Sequence, residues 1–164
     1  MNWTELKEKI YYWDGSWRDI YVLQTSLDDN KKWTDYVNEN YHIEWFNGLT
    51  QSDEKKVDFE VIKEYWNGNQ DLCSTAKIFI AKIQINNHFF VDNEIENDID
   101  PREINSIEDH EIVVKYMTDL SNLLGKPVIL TPENDQGKIL MEVWENKIKF
   151  SNNIHPNEWE IRLR

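Results

Sequence analysis

The stretch that decides the fold covers residues 76–95 and reads AKIFIAKIQINNHFFVDNEI. Its two halves, 76–85 and 88–95, are rich in β-branched and aromatic residues, which is typical of strands. Between them lies the dipeptide Asn86-Asn87, which tolerates the positive φ angles of a tight turn. The stretch therefore predicts a β-hairpin, the clearest one in the chain.

Strand and helix patterns continue on both sides of this hairpin. Strands are expected at 18–25, 42–46, 128–131, 139–144 and 147–150, with an edge strand at 158–163. Helices are expected from Ser26 to Asn40, over 58–66, and from Ser106 to Gly125. Residues 47–58 are expected to form an exposed loop that leads into the second of these helices. The order β-α-β-α-β-β-α-β-β-β predicts one α+β domain over residues 1–164, with a mostly antiparallel sheet and two or three helices packed on one face.

The charge of the chain restricts its partners. There are 31 acidic and 18 basic residues, which gives a net charge of -13. This charge opposes contact with nucleic acid and with anionic membrane surfaces, and it favours a basic protein partner. The alternative is that the acidic residues only keep the protein soluble.

The compartment is predicted from cysteine use and from the N-terminal segment. Cys73 is the only cysteine, so an intrachain disulfide is impossible and a reducing compartment fits. The first nine residues lack the basic-then-apolar order of a signal peptide, and no apolar stretch has the length of a membrane span. We expect a cytoplasmic protein, whereas the oligomeric state has no signal in the sequence.

The most unusual local pattern is a run of five carboxylates at two-residue spacing, formed by Asp92, Glu94, Glu96, Asp98 and Asp100. In an extended chain these side chains share one face, while Val91 and Ile95 point to the other. Carboxylates so arranged repel one another, and a cation would relieve the repulsion. The run is therefore predicted to be a binding site.

Three interpretations of this run remain open. A hard metal cation could bind it, although consecutive side chains on one face of a strand lie roughly 7 Å apart, which is wide for chelation. It could instead bind Lys or Arg side chains of a partner. The third interpretation is an exposed, ion-paired strand, because a two-residue turn at Asn86-Asn87 would place Lys77 opposite Glu96.

Further candidate binding residues are Trp13, Trp17, Arg18 and Arg102. Arg18 and Arg102 each stand beside a carboxylate in the sequence, so each could clamp a substrate or lock a loop. Trp13 and Trp17 belong to an aromatic cluster near the N-terminus, which forms either a recognition patch or part of the core.

Signatures of catalysis and of cofactor binding are absent from the sequence. The four histidines, at 42, 88, 110 and 155, do not have the spacing of a zinc motif. The sequence also lacks a nucleophile elbow and a glycine-rich phosphate loop, and Cys73 is expected as a small core residue. No cofactor or metal is predicted, and catalysis is less expected than binding.

Three segments carry a resemblance to other proteins: residues 15–22 (GSWRDIYV), residues 88–103 (from HFF to IDPRE), and residues 124–133 (from LGK to LTPE). In these segments the chain resembles a set of small uncharacterised bacterial proteins, which brings no activity with it. In size, acidity and α+β order the chain is also similar to immunity proteins of bacterial toxin systems. That likeness implies an immunity-like or antitoxin-like protein that binds a basic partner. The alternative function is a small metal-dependent enzyme that uses the run from Asp92 to Asp100.

Overall fold

The computed structural model describes residues 1–72, 74–152 and 155–163. The helices in this part of the chain are α1 (Trp3–Lys9), α2 (Leu27–Asn40), α3 (Phe59–Trp66) and α4 (Ile107–Leu124). The strands are β1 (Arg18–Leu23), β2 (His42–Asn47), β3 (Ser52–Glu54), β4 (Ala76–Ile80), β5 (Ile83–Asn87), β6 (Glu94–Ile99), β7 (Val128–Pro132), β8 (Met141–Trp144), β9 (Lys147–Asn152) and β10 (His155–Leu163).

The strands form one sheet in the order β10-β9-β8-β7-β1-β6-β5-β4-β2-β3, and each neighbouring pair is antiparallel. Helices α2 and α4 pack against each other and against strands of this sheet. Apolar side chains from all four helical segments and from the strands join in one buried cluster. The structure thus confirms a single α+β domain with an antiparallel sheet, and it shows four helices among the described residues where two or three were predicted.

The helix ends follow the capping signals in the sequence. Ser26 and Asp29 form the capping box of α2, and the helix ends at Asn40 as predicted. Ser106 caps α4, and Gly125 closes it in the left-handed conformation with φ 63°. Helix α1 was not predicted, although its capping box, formed by Asn2 and Glu5, can be found in the sequence.

The position predicted for the hairpin turn, at Asn86-Asn87, is wrong. The tight turn lies at Ala81 and Lys82, with φ 52° at Ala81, and joins β4 to β5. Ile78 lies at an even position and Ile85 at an odd one, so a single strand over 76–85 would direct them to opposite faces. The two-residue turn brings them onto one face, where they pair and are both buried.

Because the turn lies earlier in the chain than predicted, the segments that follow it also differ from the prediction. Asn86 and Asn87 lie within β5 rather than in a turn, and residues 88–93 are a loop that leads to β6. Residues 47–58 were predicted to form an exposed loop, but within them Ser52–Glu54 form the short strand β3 at one edge of the sheet. Strand β10 lies at the other edge, in agreement with the predicted edge strand.

Candidate functional site

The candidate site lies on the face of the sheet that is turned away from α4. Asn97 of β6 accepts a hydrogen bond from Tyr116 of α4, so its neighbours Glu96 and Asp98 point to the opposite face. We call this opposite face the open face. Its central part is formed by Asp19, Tyr21 and Leu23 of β1, Asn86 of β5, and Glu94, Glu96 and Asp98 of β6.

The structure brings three members of the carboxylate run together. Glu94, Glu96 and Asp98 alternate along β6 with buried residues, so they share the open face as predicted. Asp92 precedes the strand in the 88–93 loop, and Asp100 follows the strand, where it caps the 3-10 turn of residues 101–103. The run is therefore divided between a strand and its two flanking loops.

The expected pairing of Lys77 with Glu96 is wrong, because it depended on the misplaced turn. Lys77 lies opposite Asn86 on one side and opposite Glu44 on the other. Glu96 lies opposite Tyr21 of β1. Val91, expected to point away from the acidic face, lies in the loop and is exposed.

Glu96 has the most perturbed carboxyl group of the open face. Burial, followed by the negative charges of Asp19 and Glu94, raises its pKa to about 7. Burial also raises the pKa of Asp19, although the backbone N–H of Asn134 and the hydroxyl of Tyr21 both donate to its Oδ2 atom. Within the described residues, no Lys or Arg forms an ion pair with Asp19, Glu94 or Glu96.

Asp98 differs from Glu96 because it has a partner. Its Oδ2 atom lies 2.6 Å from Nε2 of His88, and its Oδ1 atom accepts a hydrogen bond from Asn86. The Nδ1 atom of His88 contacts the hydroxyl of Thr75 at 2.7 Å. The hydrogen bond to Asp98 is the main cause that raises the pKa of His88. The raised pKa favours the protonated form of this histidine, which lies at one end of the acidic row.

The loop of residues 88–93 places apolar side chains beside the acidic row. Phe89 is buried against Trp33, and its carbonyl accepts a hydrogen bond from Nε1 of Trp66, which anchors the loop. Phe90 and Val91 are 55% and 43% exposed. The ring of Phe90 stacks on His88 with centroids 5.1 Å apart, so an apolar surface and the acidic row are continuous.

A second loop, which follows β7, limits the open face on one side. The backbone N–H of Asn134 bonds to Asp19 at 2.7 Å, and Gln136 donates to Glu94 at 3.0 Å. These bonds hold the loop against β1 and β6. Asp19 is buried under this loop, whereas Glu94 is half-buried.

Arg102 and Trp13 form a separate surface feature. The Arg102 guanidinium lies 3.9 Å from the Trp13 ring centroid, and it binds the carboxylate of Asp100 through Nε and Nη2 at 3.0 and 2.8 Å. Trp13 is 47% exposed, so it does not belong to the core. Trp13 and Arg102 line a groove together with Trp3, Lys7 and Tyr12.

Arg18 lies inside the protein, where its side chain is fully buried. It donates to the backbone carbonyls of Ile10, Tyr12, Ser16 and Trp17, and its guanidinium lies over the Tyr12 ring. Trp17 is partly buried, and its backbone N–H donates to Glu133. Arg18 therefore shapes the segment that precedes β1 and does not reach the open face.

Sequence reasoning missed Tyr21 and Phe90 as members of the site. Side chains alternate between the two faces of a strand, so Tyr21, which lies between the core residues Ile20 and Val22, points to the open face. This alternation could have identified Tyr21 from the sequence. Phe90 was assigned to a strand because the hairpin turn was misplaced. Cys73, expected as a core residue, lies outside the described residues.

Among the described residues, no three His, Cys, Asp or Glu side chains come close enough together to hold a metal ion. The helices of the same residues include none with the length and apolar character that a bilayer crossing requires.

Comparisons with family models, with curated proteins and with solved structures find no match.

Proposed function

We propose that this chain is an acidic protein-binding domain that binds a basic partner through the open face of its sheet. The observation that carries the proposal is the acidic row of β6, in which Glu94 and Glu96 lack a Lys or Arg partner among the described residues. Side chains of this kind are stabilised when a partner supplies the missing positive charge.

The apolar surface beside the row supports a protein partner over a small cation. Phe90 and Val91 are exposed in a loop that is anchored by Phe89. Exposed aromatic side chains next to charged groups are typical of the energetic centre of protein interfaces. A partner with Lys or Arg side chains next to an apolar segment would fit both the acidic row and the exposed Phe90 and Val91. An immunity-like or antitoxin-like protein that covers a basic surface would bind in this way.

Titration with a decalysine peptide, followed by NMR at low salt, tests this proposal. We expect backbone shift changes centred on β6 and residues 88–93, and affinity that falls as salt is added. Glu94→Gln should weaken the affinity by about two- to fivefold. Glu111→Gln, which removes an exposed charge from α4, is the matched control and should have a smaller effect. Equal effects of the two substitutions would contradict the proposal.

A small metal-dependent enzyme that uses residues 92–100 is the second candidate. The described residues contain no group of three His, Cys, Asp or Glu side chains that could hold a metal, so it is Glu96 alone that favours this candidate. A carboxyl group whose pKa is about 7 can give and take a proton near neutral pH, as general acid-base catalysis requires. Calorimetric titration with magnesium, calcium, manganese and zinc tests this candidate. Heat of binding that is lost in Glu96→Gln would support it, and no heat with any of the four metals would count against it.

A further inference from the structure

The imidazole of His88 joins the hydroxyl of Thr75 to the carboxylate of Asp98. Its Nδ1 atom lies 2.7 Å from the Thr75 hydroxyl oxygen, and its Nε2 atom lies 2.6 Å from Oδ2 of Asp98. A neutral imidazole has one nitrogen that donates a hydrogen and one that accepts. Because an ionised carboxylate can only accept, Nε2 carries the hydrogen and donates it to Asp98. The free nitrogen, Nδ1, then accepts the hydrogen of the Thr75 hydroxyl.

Three adjacent strands bring these side chains together. Ala76 of β4 pairs with Asn87 of β5, and Thr75 and His88 adjoin this pair, so they lie opposite each other. Alternation along the two strands directs both side chains to the open face, where Asp98 of the neighbouring strand β6 also points. All three side chains are half-buried, so a molecule from solvent can reach them.

Further hydrogen bonds hold the Asp98 carboxylate in place. Its Oδ1 atom accepts from the side-chain amide of Asn86, whose own oxygen accepts from Gln84. The carboxylate in turn determines the tautomer and the orientation of the imidazole. A hydroxyl, an imidazole and a carboxylate bonded in this order form the arrangement in which a base activates an alcohol as a nucleophile. We call Thr75, His88 and Asp98 the triad.

We propose that Thr75 is a nucleophile that takes an acyl group from an ester, with His88 as its general base and Asp98 as the residue that positions the base. The Thr75 oxygen attacks the carbonyl carbon of the ester, and the hydroxyl proton moves to Nδ1 of His88. The bond to the leaving alcohol then breaks, and the alcohol takes the proton from Nδ1. Water attacks the Thr75 ester in the same way, which releases a carboxylic acid and restores the hydroxyl.

The surroundings of the triad favour an acyl group that carries a positive charge. The register of β5 and β6 makes Glu96 the neighbour of His88 on the side away from Thr75. Because neighbouring strands are about 4.8 Å apart, Glu96 lies about 10 Å from Thr75 across the sheet. The exposed ring of Phe90 stacks on His88 and adds an apolar wall. An ester whose acyl group joins an aromatic ring to a guanidinium fits both Glu96 and Phe90.

The ester p-nitrophenyl 4-guanidinobenzoate tests the proposal on the intact protein. We expect a burst of p-nitrophenolate equal to the protein concentration, and tandem mass spectrometry should find the guanidinobenzoyl group on Thr75. Thr75→Val should remove both the burst and the label, whereas Thr75→Ser should keep them. Thr118→Val is the matched control, because it removes a half-buried threonine hydroxyl from α4, and it should leave the burst unchanged.

The dependence of the acylation rate on pH tests the roles of His88 and Asp98. His88→Gln should slow acylation by about 10²- to 10⁴-fold. The hydrogen bond to Asp98, together with the charges of Asp98, Glu96 and Asp19, raises the pKa of His88 above 6.5 although burial opposes this. The rate should therefore rise with pH through that raised pKa and then level off. Asp98→Asn should lower the rate at the plateau and also move the midpoint to lower pH.

Acylation that survives Thr75→Val, or a guanidinobenzoyl group found only on other residues, would overturn the proposal. An unchanged midpoint in Asp98→Asn would overturn the role of Asp98. The neutral ester p-nitrophenyl benzoate tests the substrate class, with free imidazole as the reference for the reactivity of each ester. The wild type should prefer the cationic ester, and Glu96→Gln should reduce this preference by about two- to fivefold, whereas an unchanged preference would contradict the substrate class. No protein partner takes part, so these outcomes are independent of the decalysine titration.

Discussion

The hydroxyl of Tyr116 on α4 donates to Oδ1 of Asn97 on β6 at 2.6 Å, directly behind the acidic row. Nε1 of Trp33 on α2 donates in turn to the Tyr116 oxygen at 3.0 Å. One buried hydroxyl thus joins two helices to the strand that carries Glu96 and Asp98. Since the register of a strand decides which side chains reach each face, this bond helps to hold the acidic row on the open face.

Tyr116→Phe should lower the free energy of unfolding by about 1–3 kcal/mol, because it leaves Oδ1 of Asn97 and Nε1 of Trp33 buried without a partner. Urea denaturation measures the change. Tyr12→Phe is the matched control: it also removes one phenolic hydroxyl but keeps the ring that lies beneath Arg18. A loss no greater than that of Tyr12→Phe would show that the buried hydrogen bonds contribute little.

Arg18→Lys should destabilise the protein by about 3 kcal/mol or more, because an ammonium group cannot donate in the directions of the four carbonyls that the guanidinium reaches. Thermal and urea unfolding measure the loss. The same substitution at Arg102, which is exposed and pairs with Asp100, should cost much less than the substitution at Arg18. Equal losses at the two positions would contradict the structural role assigned to Arg18.

The stability of the protein should decrease as the pH rises from about 5 to about 8. The folded-state pKa of Glu96 is about 7 and exceeds its unfolded value of 4.5, so its contribution is fully present below 4.5 and is lost as the pH passes through 7. Urea denaturation at pH 5, 6, 7 and 8 checks the sign. Glu96→Gln should flatten the profile over this range, whereas a profile that rises with pH in the wild type would refute the assignment.

Asp98→Asn should lower the pKa of the His88 imidazole, because the hydrogen bond and the negative charge of Asp98 are what favour its protonated form. NMR titration of the ring protons measures this pKa in both proteins. In the wild type the His88 contribution to stability is present below its unfolded pKa of 6.5 and is lost as the pH rises through the raised folded value. An unchanged His88 titration in Asp98→Asn would show that another group causes the shift.

Features of the structure that depend on neighbours in the sequence could be predicted. Helices α2 and α4 were predicted with their caps, because Ser26 and Ser106 bond to backbone three residues ahead, and such local bonds leave a pattern in the sequence. The face shared by Glu94, Glu96 and Asp98 was predicted for the same reason. It depends only on strand alternation.

The contacts across the sheet could not be predicted in the same way. The dipeptide Asn86-Asn87 favours a turn and predicts the hairpin there. The chain instead reverses at Ala81 and Lys82, because this turn lets Ile78 and Ile85 pair on one face of the sheet. This error gave Glu96 the wrong neighbour. Its true neighbour, Tyr21, is 75 positions away in the chain, and pairing over such a distance is determined by the packing of the whole domain.

Strand β6 lies in the interior of the sheet, between β1 and β5, with five strands on one side of it and four on the other. Interior strands are among the last to open in native-state hydrogen exchange, because both of their ladders must separate first. The negative potential of the open face is therefore expected to reside in one of the slowest-exchanging parts of the molecule. Local opening of the outer strands would leave that potential intact, so a partner would meet the same electrostatic surface in nearly every native conformation.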